Sequence, residues 1–121
     1  VATFNNNEAE LENLKQSLRR CSPETVEAAI EYRKSNNPQF VAAIVTGIIE
    51  RFLEPDLKPL MRKGDDSLRL FDDLGVDSLT MMEIVILVEE IIGISVENEE
   101  LRNLRSIADI KQFIQSKLTI A

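Results

Sequence analysis

Apolar residues recur along this chain at intervals of three and four, in helix-sized stretches divided by proline, glycine and short polar side chains. Leu11, Leu14 and Leu18 share one face of a first short helix that opens at Asn7, with Glu10 three residues on, and ends at Arg19 and Arg20. Ser22 followed by Pro23 is a cap with a first-turn proline. Val26, Ala29, Ile30 and Arg33 then mark one face of a second helix ending near Asn36. Together these predict a helical hairpin over residues 1–36. Asn37 and Pro38 repeat the cap-and-proline device before a wide stripe of Val41, Ile44, Val45, Ile48, Ile49 and Phe52, which must face a core. This third helix stops near Pro55.

Between Asp56 and Phe71 the chain holds Pro59, Gly64 and clustered charges without a sustained period, which predicts a long connection. A helix then starts at Ser78, capped by Asp77, and ends at Gly93. Met81, Ile84, Val85, Val88 and Ile92 keep the spacing of a core stripe along it, while Leu79, Met82 and Ile86 form a narrower row beside that stripe. A helical turn is expected from Asn98 to about Asn103. A last helix, opened by Ser106 and Asp109, turns Ile107, Ile110, Phe113, Ile114 and Leu118 inward. The predicted class is all-α: a four-helix bundle over residues 37–121 with a long loop between its first two helices, plus the N-terminal hairpin. Two destinations are open for the hairpin's apolar stripes, the bundle's own surface near the third helix, or a second copy or dedicated enzyme. Removal of residues 1–36 is expected to leave a folded domain.

Composition narrows the function. The chain has 121 residues, 44% of them hydrophobic, enough for one core but not for two ordinary domains. A net charge of -7 excludes a protein whose work is neutralising phosphates, so nucleic acid is not an expected partner. Apolar runs such as Ile84 to Val88 are too short for membrane insertion. Cys21 is the only cysteine, and the chain contains no histidine, the commonest general base and metal ligand. Neither a catalytic residue nor a metal site is expected, and a reducing cytoplasm is the expected location. The acids Asp65, Asp66, Asp72, Asp73 and Asp77 lack the alternating register and closing Glu of a calcium loop.

The segment Asp73-Leu74-Gly75-Val76-Asp77-Ser78-Leu79 joins a tight glycine turn, an exposed hydroxyl and a helix N-terminus. Leu74 and Val76 can anchor the turn to the core, leaving Ser78 at the mouth of the helix. From Leu70 to Glu100 the chain carries nine acidic residues and no Lys or Arg, so this stretch calls for basic partners.

Leu74-Gly75-Val76-Asp77-Ser78-Leu79 resembles the phosphopantetheine attachment motif of acyl carrier proteins. The likeness continues through Glu83, Ile84, Val85, Glu89 and Glu90 to Glu99, Glu100 and the stretch from Ser106 to Ile114, covering about residues 38–117. The resemblance implies an acyl-carrier four-helix bundle whose Ser78 receives 4'-phosphopantetheine from coenzyme A through a phosphopantetheinyl transferase. The arm's thiol then holds acyl groups as thioesters, which makes the protein a carrier rather than an enzyme. A phosphodiester on Ser78 would lie at the positive end of the helix dipole. The expected recognition surface comprises Asp77, Leu79, Met82, Glu83, Ile86, Glu89 and Glu90, facing acyl-transferring and fatty-acid-synthesis enzymes with basic docking surfaces. The resemblance further implies that an acyl chain can fold back between the helices, where the aliphatic core and Phe113 would suit it. A monomer working in fatty-acid or related lipid biosynthesis is the leading expectation. A carrier of polyketide or aminoacyl intermediates and an unmodified adaptor are the alternatives. Thr80, where fatty-acid carriers often have an acid, and Ile91, commonly a polar position, depart from the family pattern.

Overall fold

The computed structural model describes residues 11–119. They form seven helices: α1 (11–17), α2 (Pro23–Ser35), α3 (Val41–Arg51), α4 (Lys58–Arg62), α5 (Ser78–Ile92), α6 (Asn98–Leu101) and α7 (Ile107–Thr119). Asn7 and Glu10, placed at the start of the first helix by sequence, lie outside the described residues.

The helix ends follow local chemistry. Ser22 Oγ accepts the Thr25 N–H at 3.3 Å at the head of α2, and Asn36 takes the left-handed conformation, φ 56°, at its foot. Asn37 Oδ1 accepts the Gln39 N–H at 3.1 Å, and a single tight turn over Pro38–Phe40 leads into α3. Ser106 and Asp109 cap α7 reciprocally: the Asp109 N–H donates to Ser106 Oγ at 3.2 Å, and the Ser106 N–H donates to Asp109 Oδ2 at 3.1 Å.

One continuous core runs through the molecule. Leu14 and Leu18, Ala29 and Tyr32 of the hairpin segment belong to the same buried cluster as Ile44 and Ile48 of α3, Ile84 and Ile91 of α5, and Ile107 and Ile114 of α7. The hairpin therefore takes the first of its two destinations, the bundle's own surface. Its α2 lies along α3, which in turn contacts α5 and α7.

Three details differ from the sequence reading. The connection between α3 and α5 is not structureless: Pro59 sits in the first turn of α4, where its missing N–H costs nothing, and Met61 is buried. The rest of this connection is fastened to the start of α7, since the N–H groups of Leu70, Ile107 and Ala108 reach Arg105 O, Leu68 O and Asp66 O at 2.9, 3.1 and 2.8 Å. The buried face of α2 is Thr25, Ala28, Ala29 and Tyr32, with Val26 and Ile30 at its flank. The reason is close helix approach: a Cβ added to Gly47 of α3 would lie 2.7 Å from Thr25 Cβ, so only small side chains fit between the two helices. Finally, Phe52 is half-buried at the end of α3, and Leu53 fills the core position instead.

Candidate attachment site and partner surface

The loop before α5 closes on Arg69 and Leu70. Arg69 O accepts the N–H groups of Asp73 and Leu74 at 2.9 and 3.0 Å, Arg69 N–H donates to Asp73 Oδ2 at 2.7 Å, and Val76 N–H donates to Leu70 O at 2.9 Å. Leu70, Leu74 and Val76 are buried and anchor this loop to the core. Gly75 turns the chain with φ +66°; open space surrounds the position where a Cβ would stand, so the torsion angle is what demands glycine.

Asp77 is extended and caps α5, its Oδ1 accepting the Thr80 N–H at 2.7 Å. That bond holds the Asp77 carboxyl below the usual carboxylate range, so it is ionised at neutral pH. Ser78, the first residue of α5, is exposed. The first-turn N–H groups have no carbonyl partners within the helix, and they would favour a phosphodiester on this hydroxyl.

Ser78 opens on a groove of about 510 Å3 walled by Met81, Met82, Leu101 and Leu104, with Arg69, Arg102 and Arg105 among its polar residues. Met81 and Leu104 are shared with a small apolar seam of about 20 Å3, which Ile84, Val85, Ile110 and Phe113 also line. The hydroxyl, the groove and the seam are thus adjacent.

Along α5 the predicted two-row pattern holds. Met81, Ile84, Val85, Val88 and Ile92 are buried, while Leu79, Met82 and Ile86 are 71%, 41% and 56% exposed. Glu83 is exposed beside them. Glu90 is also exposed, but its Oε1 accepts the Ser17 hydroxyl of the hairpin segment at 2.8 Å. Glu89 is half-buried and turns back to accept the Val96 N–H at 2.8 Å, which closes the turn after Gly93. Ile91, anomalous by family pattern, is buried together with Leu87. The hairpin seals this end of α5: Tyr32 OH donates to Ile92 O at 3.3 Å, and Arg33 donates to Ile91 O and Glu90 O at 3.1 and 2.7 Å.

Sequence reasoning missed Phe71, 47% exposed at the groove, and the three arginines. Position in the chain carries no sign of them, because Arg69, Arg102 and Arg105 lie just outside the acid-only stretch that drew attention. The five acids weighed against a calcium loop have other partners: Asp65 has Ser67, Asp66 has Lys111, Asp72 the Arg69 guanidinium, Asp73 the Arg69 N–H and Asp77 the Thr80 N–H. Among the described residues no group of three or more His, Cys, Asp or Glu is placed to hold a metal ion, and no helix is long and apolar enough to cross a membrane. Burial raises the Cys21 thiol above its usual range, against the opposing pull of Arg51, which leaves it protonated at neutral pH.

A helical bundle that displays a capped, solvent-facing serine at a helix N-terminus above an apolar groove defines a class of small carrier domains. The family described as a phosphopantetheine attachment site matches residues 43–114, and the chain belongs to it. Its prosthetic group is 4'-phosphopantetheine, and the curated relatives of this chain are named acyl carrier proteins, which are carriers rather than catalysts. The acyl carrier protein MbtL of Mycobacterium sp. (strain MCS) is 26% identical over 85 residues, covering 70% of this chain and 91% of the relative. An acyl carrier protein of Rhodococcus erythropolis is 46% identical over 44 residues, 36% of this chain and 48% of its own. The meromycolate extension acyl carrier protein of Mycolicibacterium aurum is 41% identical over 44 residues, 36% of this chain and 45% of its own. The chain thus spans about half the length of the latter two relatives. No solved structure matches it.

Proposed function

We propose that Ser78 is the attachment point and that the loaded protein carries acyl groups as thioesters in fatty-acid or related lipid biosynthesis. The observation that carries this reading is the exposed Ser78 hydroxyl at the mouth of the groove, directly after the Asp77 cap. In the loading step Ser78 Oγ bonds to the phosphorus of coenzyme A that bears the pantetheine. The bond from that phosphorus to 3',5'-ADP breaks, and the hydroxyl proton passes to the phosphopantetheinyl transferase. The arm, once bound, supplies a thiol for thioester chemistry. The chain's own residues present it: Asp77 fixes the helix start, Gly75 the turn, and Leu74 and Val76 the loop.

The apolar seam among Met81, Ile84 and Phe113 supports an aliphatic cargo, as does similarity to a carrier named for meromycolate extension. Leu79, Met82 and Ile86, flanked by Asp77 and Glu83, form a docking surface for enzymes with basic faces. Glu90 adjoins that surface through a cleft shared with Ser17, so the hairpin contributes part of the surroundings that a partner meets. The protein acts as a cytoplasmic monomer in this reading.

Incubation with coenzyme A and a broad-specificity transferase, followed by intact mass measurement, tests the attachment. Wild type gains one phosphopantetheine and Ser78→Ala gains none. An unmodified, folded wild type, or a modified Ser78→Ala, overturns the assignment.

A further inference from the structure

The three arginines at the Ser78 groove form a basic island in a protein of net charge -7. They flank the acid-only stretch in sequence, Arg69 immediately before it and Arg102 and Arg105 two and five residues after it, and the fold joins them. An antiparallel bridge pairs Arg69 with Ser106, and Leu70 N–H donates to Arg105 O at 2.9 Å, so these two loops lie side by side. Helix α6 ends at Leu101, which delivers Arg102 to the same groove.

Their charges are not equally available. Arg69 is paired with Asp72 at 3.5 Å, and Asp72 also lines the groove. Arg105 shares its field with Asp109, whose carboxylate is already held by two backbone N–H groups. Arg102 makes no ion pair among the described residues. Surplus positive charge therefore stands, solvent-exposed, at a groove whose walls, Met81, Met82, Leu101 and Leu104, are apolar.

We infer that this groove is a seat for an oxyanion carried on the Ser78 arm, with Arg102 and Arg105 as its ligands. The inference rests on attachment at Ser78, because the tether is what brings the anion into the groove. Guanidinium forks match the geometry of both phosphate and carboxylate oxygens. The anion thus has two sources, the arm's own phosphodiester or a carboxylate on an acyl group folded back from the arm's end. The first would fix the root of the arm at the groove's mouth; the second would lay the whole arm along the groove instead of leaving it in solvent.

The test uses 15N-labelled full chain in four forms, each confirmed by intact mass: apo, holo, octanoyl-holo and succinyl-holo. The arginine Nε–Hε resonances are followed, and the 31P resonance of the arm is compared between wild type and a loaded Arg102→Gln/Arg105→Gln variant. With the phosphodiester as ligand, Arg102 and Arg105 shift between apo and holo, and the 31P resonance moves in the variant. With a cargo carboxylate, they shift only in the succinyl form. Loaded proteins whose arginine signals match the apo form throughout overturn the oxyanion seat and leave attachment standing. A shift induced equally by octanoyl and succinyl groups, but absent in the holo form, also overturns it, since the trigger is then not anionic. Absence of any mass gain overturns the attachment and this inference together.

Discussion

Gly47→Ala sets two effects of opposite sign against each other. Gly47 lies inside α3, where exchange of glycine for alanine favours the helix by about 1 kcal/mol through backbone entropy. The new Cβ would meet Thr25 at 2.6 Å from Cγ2 and 2.7 Å from Cβ, and would overlap Oγ1. Rotation of the Thr25 side chain can clear the outer atoms but not its Cβ, and Thr25 is 3% exposed, so α2 itself has to move. Overpacking of this kind costs about 1–3 kcal/mol, and a contact fixed to the backbone belongs at the upper end of that range. The net loss is then about 2 kcal/mol, a fall in Tm of about 8 °C at roughly 4 °C per kcal/mol for a domain near this size. Thermal unfolding of wild type and Gly47→Ala, followed by circular dichroism at 222 nm, measures it, with intact mass after transferase treatment as a check that Ser78 still accepts its arm. An unchanged or raised Tm would refute the close contact of α2 with α3 and, with it, the account of why α2 buries its small residues.

Other consequences are measurable in the same preparations. Tyr32→Phe removes the buried hydrogen bond to Ile92 O and is expected to cost about 1 kcal/mol, or about 4 °C in Tm; an unchanged Tm would remove this bond from the account of the hairpin's attachment. Met82→Ala with Ile86→Ala, both at exposed positions, should leave Tm within about 2 °C while lowering transferase kcat/KM by roughly tenfold; full retention of kcat/KM would move the docking surface elsewhere. Asp77, Glu100 and Asp109 all have folded-state pKa values lowered chiefly by backbone N–H bonds, from Thr80, Glu97 and Ser106 respectively. The stability they add is complete above the unfolded-state values, about pH 4, and is lost as pH falls through the lower folded-state values. Urea midpoints should therefore drop from pH 5 to pH 3, less steeply in Asp77→Asn; a flat profile would contradict the assigned bonds.

What could be read in the chain was local. Asp77 before Ser78, Ser22 before Pro23 and Gly93 after Ile92 mark helix ends because capping is a matter of a few adjacent backbone groups, and each acts where sequence put it. The two rows of α5 were equally legible, since a 3.6-residue period decides which side chains share a face regardless of what that face meets. Ser78 stood out for the same reason, as a hydroxyl between a cap and a helix. What escaped depends on residues far apart in sequence. Val26 and Ile30 are the more hydrophobic choices for a core face, yet Gly47 brings α3 so close that Thr25 and Ala28 join the predicted Ala29 on it instead. Glu89 and Glu90 look like free surface acids until Val96 N–H and Ser17 reach them, and α4 hides behind a proline that a helix tolerates only in its first turn. Arg69, Arg102 and Arg105 become neighbours only through the bridge that ties the loop before α5 to the start of α7. Periodicity and capping are short-range and so are written in consecutive residues, whereas the choice of partner for a face or a charge is settled by which surfaces the closed bundle brings into contact.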